Sequence, residues 1–212
     1  MNRIGTHLAI ALFLVIIPLI SNAQESNIRK WMRLSGPERR WVIWHPLVAL
    51  DALSITMNTR KVTKEHAKNP LLDEYNTGGK LDAFRHVFWM ASLSAEIKWK
   101  KAWRLGNAHE KANKKDWRKG RYEDGSPPDK IAGEMDYWNN KIGLDIGKSN
   151  QSMSEEDLIQ LVIRAITEGK CKIIRRNANG DFLDGEGNII ASSEWQGKWE
   201  NFRCLIFSNK TR

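Results

Sequence analysis

Residues 80–99 read KLDAFRHVFWMASLSAEIKW, and this stretch decides the fold class. Leu81, Phe84, Phe88, Ala91 and Ala95 recur at three-four spacing, which predicts an amphipathic helix from about Lys80 to Trp99. Beside that stripe stand Asp82, Arg85, His86 and Trp89, at i, i+3, i+4 and i+7. Groups spaced this way share one helix face, so a polar line borders what should be core.

The neighbouring segments repeat the pattern. A second helix is predicted over roughly Lys100 to Lys119, with Gly106, His109, Glu110 and Asn113 on one line. A third, Asp129 to Lys148, carries an apolar stripe of Ile131, Met135, Trp138, Ile142 and Ile146 and a polar line of Asp136, Asn139, Asn140 and Gly143. Upstream, Pro37 opens a helix holding Trp41 and Trp44, which His45-Pro46 bends or ends. Leu47 to about Lys68 continues as a helix whose apolar stripe runs Leu47, Leu50, Ser54, Met57 and Lys61. Ser154 and the acidic pair Glu155-Glu156 start another helix, over about 155–169. After Gly169 the pattern changes to short β-prone runs separated by Asn179-Gly180 and Gly185-Glu-Gly-Asn188, which predicts a small β-meander. The expected architecture is therefore mainly α: a helical bundle-like domain over 24–169 and a C-terminal β-hairpin or meander with an extension over 170–212.

The chain has 212 residues and 24.4 kDa, enough for one sizeable domain with a small appendage. At 41% hydrophobic and 28% charged residues, a disordered tail, a collagen-like fibre and a polytopic membrane protein are excluded. Residues 1–23 read as an export signal: Arg3, then the apolar run Leu8 to Ile20, then Ser21-Asn22-Ala23. Thirteen apolar residues fall short of the ~20 needed to span a bilayer, so cleavage and a periplasmic or extracellular protein with no integral span are expected. In such a compartment Cys171 and Cys204 read as a disulfide, worth about 3 to 4 kcal/mol of loop entropy. Two separate buried thiols are the alternative.

Charge is concentrated. The net charge is +9, and residues 98–121 alone hold ten basic and two acidic side chains interleaved with Trp99, Trp103 and Trp117. Basic groups meet phosphates and Trp can stack on bases or sugars, which suggests an anionic partner. Trp41, Trp44 and Trp138 are expected in the core.

Polar groups in a helix–helix contact cost roughly 1 to 3 kcal/mol each when left unbonded, so the three lines must satisfy one another, a ligand or a metal. In a metal reading, His86 and His109 supply nitrogen and Asp82 and Asp136 supply oxygen, a mixed set suited to Zn or Mn. Glu110 would then act as general base, Arg85 would stabilise a developing anion, and Asn140 completes the catalytic set. A metal-free reading pairs a His with a carboxylate for acid–base work, with Arg85 neutralising the anion, and a buried hydrogen-bond network locking three helices is the structural counterpart.

The blocks Asp82-Ala-Phe-Arg-His86 with Trp89, Gly106-Asn-Ala-His109-Glu110, and Met135-Asp136 with Asn139-Asn140 and Gly143 carry a resemblance. Together, from about Arg40 to Gly147, they resemble an uncharacterised bacterial domain of unknown function found in small exported and toxin-like proteins. That resemblance implies a site and no particular reaction. The reading that follows is an exported protein of hydrolase type, acting with metal assistance on a phosphate-containing or anionic envelope substrate. The rival is a non-enzymatic envelope protein that binds anionic polymer or lipid through the basic Trp-rich helix.

Overall fold

The computed structural model describes residues 34–120 and 127–210; the signal-like segment 1–23 lies outside the described residues. Among the described residues the chain forms α1 (Gly36–Trp44), α2 (Pro46–Glu65), α3 (Lys80–Glu96), α4 (Trp99–Arg118), α5 (Lys130–Ser149), α6 (Glu155–Thr167), β1 (Lys172–Ile174), α7 (Ser192–Trp195) and β2 (Leu205–Phe207). The protein is mainly helical, with one small antiparallel β1–β2 ladder near its C-terminus, as the sequence pattern predicts. No described helix is long and apolar enough to cross a membrane.

Helix α3 is the axis. Leu81, Ala83, Phe84, Val87, Phe88, Met90, Ala91 and Leu93 are all buried, and so are Asp82, His86 and Ser94. A helix buried on nearly every side must be surrounded, and α2, α4, α5 and α6 all pack against it. One cluster joins Val62 of α2, Phe84 and Phe88 of α3, and Leu158, Val162 and Ile166 of α6. A second joins Trp41, Ala52, Met90, Leu93, Leu105 and Leu144. Each large side chain so buried contributes about 1.5 to 3 kcal/mol.

Three expectations about burial are corrected. The α2 stripe points outward: Leu47 is 92% exposed, and Leu50 and Met57 are also at the surface. Ala52, Thr59, Val62 and Thr63 face inward instead. The Thr63 hydroxyl donates to Thr59 O at 2.8 Å, and that of Thr56 to Ala52 O at 2.7 Å. Hydroxyls bonded within their own helix carry little burial penalty, and their small volume lets α2 approach α3. Of the tryptophans, Trp41 is buried and donates to Lys101 O at 3.0 Å, whereas Trp44 is 74% exposed at the last position of α1. Trp138 is exposed, its indole donating to Lys170 O and its face covered by Lys172 Nζ at 4.1 Å. On α5 the polar line is the inward one, with Asp136, Asn139, Asn140 and Gly143 buried beside Met135. Trp138, Ile142 and Ile146 occupy its margin.

The expected meander is only partly regular. The ladder pairs Lys172↔Phe207, Ile173↔Ile206 and Ile174↔Leu205, while residues 176–189 hold just the bridges Arg176↔Phe182 and Leu183↔Ile189. Asn177 Oδ1 takes the N–H groups of Asn179 and Asp181, and Asp184 Oδ1 takes those of Glu186, Gly187 and Asn188. Side-chain acceptors thus divert donors that a longer ladder would use. On the helical side Asn139 grips β1, its amide donating to Lys172 O and accepting from Lys172 N, both at 2.9 Å.

The same register corrects the disulfide. Cys171 lies opposite Ser208, and Cys204 opposite Arg175, as the bonds Ser208 N–H to Cys171 O and Arg175 N–H to Cys204 O record. Four strand positions separate them, roughly 13 Å at the ordinary rise, well beyond the reach of a disulfide. Both cysteines are free, and burial pushes the Cys171 thiol up to about 12. At pH 8 the native protein is expected to react with a thiol reagent at Cys204 alone. Unfolding should expose the second thiol, and labelling of Cys171 at the same rate as Cys204 would contradict this burial.

Candidate functional site

The polar lines of α3 and α5 converge. Asp82, His86 and Asp136 are all buried, and one ligand atom from each lies within 4.8 Å of the other two. His86 Nε2 is 3.3 Å from Asp136 Oδ1 and 3.6 Å from Asp82 Oδ1. Arg85 Nη2 donates to Asp82 Oδ1 at 2.6 Å and stands 3.4 Å from His86 Nε2. The second Asp82 oxygen accepts the Gly78 N–H at 2.6 Å, so the loop before α3 fixes this carboxylate.

Behind His86 a relay sets its tautomer. Glu110 accepts from Asn140 Nδ2 at 2.8 Å and from Asn113 Nδ2 at 3.0 Å. A carboxylate only accepts, so the Asn140 amide must turn Nδ2 to Glu110 and Oδ1 to His86 Nδ1, 3.3 Å away. Nδ1 therefore carries a proton, and Nε2 faces two carboxylates with Arg85 Nη2 beside it. A nitrogen so placed is matched to the carboxylates by its own proton or by a cation, and both the Arg85 guanidinium and a divalent metal suit that role. An imidazole oriented through its far nitrogen is the usual form of a metal-ligating histidine.

The structure divides the sequence-predicted residues into three positions. Asp82, His86 and Asp136 form the cluster, with Arg85 at its edge. Asn140 and Glu110 lie behind it as positioning groups; Glu110 has both oxygens engaged by amides, an arrangement suited to orienting rather than to shuttling a proton. His109 stands apart from the cluster. Its ring centroid is 6.5 Å from that of His86, its edge meets Trp89, and Nδ1 lies 3.0 Å from Glu38 Oε1.

Glu38 escaped the sequence reading, although Ser35-Gly-Pro-Glu38 spells a capping box. The Glu38 side chain accepts the Ser35 N–H at 2.7 Å while Ser35 Oγ accepts from Glu38 N, so one carboxylate both caps α1 and ties it to α4. Burial pushes this carboxyl up, but the hydrogen bond and charge of His109 and the bonds from Ser35 outweigh it, leaving it below the usual 4.5. A depressed folded-state value means stability present above the ordinary value and lost as pH falls through the lowered one. Glu38→Gln is expected to cost about 1 to 2 kcal/mol at pH 7. That difference should shrink in acid below the ordinary glutamate range, as read by paired thermal melts, and a cost unchanged by acid would contradict the His109 contact.

A cavity of about 290 Å³ opens against the cluster. Asp82, Arg85, Asn113 and Asp136 line one side, and Arg176, Phe182, Ser192, Trp195 and Arg203 line the other. Nothing in the sequence marked these C-terminal residues, because they come from irregular backbone without periodicity. Arg203 forms a buried pair with Asp129, the N-cap of α5, and burial lowers its guanidinium to about 10, still charged at neutral pH.

A family model described as a domain of unknown function, DUF6973, matches residues 39–170. The chain belongs to the DUF6973 family. No curated protein and no solved structure matches it. All three sequence blocks fall inside the DUF6973 match, and so do the Asp82–His86–Asp136 cluster, Asn140 and Glu110. Arg176, Trp195 and Arg203 fall outside it, and the cavity is therefore walled by DUF6973 residues on one side and by the C-terminal segment on the other.

Proposed function

We propose that the protein is an exported hydrolase of a phosphate-containing or otherwise anionic envelope substrate, acting with a divalent cation, Zn or Mn, held by Asp82, His86 and Asp136. The observation that carries this reading is the convergence of those three buried side chains at the edge of a 290 Å³ cavity, with His86 Nε2 turned towards both carboxylates. Two oxygens and one nitrogen leave coordination positions for water and substrate, the pattern of a catalytic rather than a closed structural site. A cation there supplies Lewis-acid polarisation of a phosphoryl oxygen and a more acidic water.

The chain's own residues do the rest. Asn140 and Glu110 hold His86 in one tautomer, and Gly78 N–H holds Asp82. Arg85, at the cavity edge, faces the charge that builds on the phosphoryl oxygens. In the reaction water attacks phosphorus, the bond from phosphorus to the leaving alcohol oxygen breaks, and the proton lost by water returns to that oxygen.

The basic helix is the rival's surface. Its tryptophans are engaged at home: Trp103 meets Tyr137 at 5.2 Å, and Trp117 donates to Gly197 O at 2.8 Å and meets Trp199 at 5.7 Å. Lys148 lies 4.6 Å over the Trp99 ring. Aromatics so committed do not offer the open faces a stacking platform needs, which favours the cavity. The deciding test is elemental analysis after reconstitution with Zn or Mn, followed by assay on activated phosphodiesters. About one ion per chain with cation-dependent turnover is the expected result, and no retained ion would sink the proposal.

A further inference from the structure

We propose that the corner between α1 and α2 is a docking surface for an anionic lipid bilayer, on which α2 lies flat without crossing it. Nothing in this proposal depends on the metal site.

Thirteen large apolar side chains are exposed among the described residues, and five of them, Ile43, Trp44, Leu47, Leu50 and Met57, fall within one stretch of fifteen. Of these five, Leu47 and Trp44 are the most exposed. Trp44 ends α1 and Leu47 is the second residue of α2, so both sit at the bend that His45-Pro46 makes. From Leu47 the line runs on through Leu50, Ser54 and Met57, one helix face about 15 Å long at the ordinary rise.

Core packing does not account for this face. Helix α2 turns Ala52, Thr59, Val62 and Thr63 inward and Leu47, Leu50 and Met57 outward, the reverse of what burial alone selects. Single exposed apolar side chains are ordinary, whereas a contiguous strip is the mark of an interaction surface.

Charge identifies the partner. Arg40 stands one turn before Trp44, and Arg60, Lys61 and Lys64 follow Met57 by one to two turns, all of them exposed. Against them stand Asp51 and Glu65, and the exposed Lys61–Glu65 pair, at 3.8 Å, weighs little in water. Around the helix, Arg60 and Lys64 border the Leu50–Met57 side of the strip. Asp51 and Asn58, seven apart, border the other, where Asn58 donates to Glu155 of α6. An apolar strip with a basic flank is the pattern of a helix lying in the headgroup layer. Trp and Leu enter the acyl boundary, while Lys and Arg reach the lipid phosphates. A second copy of this chain fits less well. Five side chains fall far short of the about 20–30 residues a side of a stable interface, and two net-positive faces repel.

The test is co-sedimentation with vesicles of equal parts phosphatidylglycerol and phosphatidylcholine, and with vesicles of phosphatidylcholine alone. The protein used is the chain from Gln24 onward, which keeps every described residue and lacks the apolar run of residues 8–20. Binding is expected to be at least about tenfold tighter to the anionic vesicles. Leu47→Glu/Leu50→Glu should lose at least about tenfold there, and Lys61→Glu/Lys64→Glu should lose the anionic preference. All four side chains are exposed, so both variants are expected to melt with wild type. Anionic-vesicle binding unchanged in Leu47→Glu/Leu50→Glu would overturn the inference and pass the role to the basic helix α4. Absence of binding by wild type would overturn it outright. Sedimentation equilibrium covers the other occupant: a wild-type dimer that Leu47→Glu/Leu50→Glu turns into monomer, without vesicle binding, would assign the strip to a second copy and overturn the inference as well.

Discussion

His86→Ala is expected to reduce bound Zn or Mn from about one ion per chain to background, and to lower phosphodiester turnover by at least about a hundredfold. His86 is the only nitrogen ligand in the Asp82–His86–Asp136 cluster, and without it two carboxylates from α3 and α5, 54 positions apart in sequence, would face one another across a hole. Asn140→Leu tests the relay separately. It leaves all three ligand atoms in place but removes the acceptor that fixes the Nδ1 proton, and loss of such a supporting bond typically weakens metal binding about 10- to 100-fold. A purely structural network predicts another pattern. There each deletion would cost about 1 to 3 kcal/mol in an orphaned buried partner, with ion content the same in wild type and variants. Elemental analysis beside thermal melts separates the two, because the metal site changes ion content first and the network changes only stability.

How much of this could be read from the chain follows from where periodicity exists. The six longer helices α1 to α6 were legible because stripes, prolines and caps agree; Lys80–Glu96, for example, begins where Leu81 and Phe84 start their spacing. The cluster was legible because Asp82 and His86 are four apart and Asp136 begins a matching line. Which line of α5 faces inward was not. Trp138 and Ile142 look like core by hydropathy, yet Gly143 and Gly147 allow α3 to approach so closely that the polar line meets it, its amides bonded by Glu110 and by β1. The outward stripe of α2 failed for the opposite reason, since Thr63 hides as a core residue by bonding its hydroxyl to Thr59 O within the helix, and Thr59 is buried beside it. Arg176 and Arg203 belong to turn-rich backbone where position in space owes nothing to spacing in sequence.

Gly143→Ala is expected to destabilise the protein and loosen the metal site together. A Cβ at Gly143 would lie 2.2 Å from the Val87 carbonyl oxygen and 2.9 Å from Met90 Cβ, and the first of these is backbone, which cannot swing aside. The helices must part. Overpacking of this kind costs about 1 to 3 kcal/mol, set against about 1 kcal/mol that alanine gains over glycine in a helix. Gly133 provides the control within the same helix, since a Cβ there meets nothing within 4 Å. Gly133→Ala should therefore show the helix gain alone and raise the melting temperature. Because α3 carries Asp82 and His86 while α5 carries Asp136 and Asn140, parting the helices at Gly143 also stretches the 3.3 Å approaches that define the site. Weaker metal binding in Gly143→Ala, with affinity unchanged in Gly133→Ala, is the expected pair. Stabilisation by both substitutions would mean that α3 and α5 do not make this contact in solution, and the cluster built on it would fall with it.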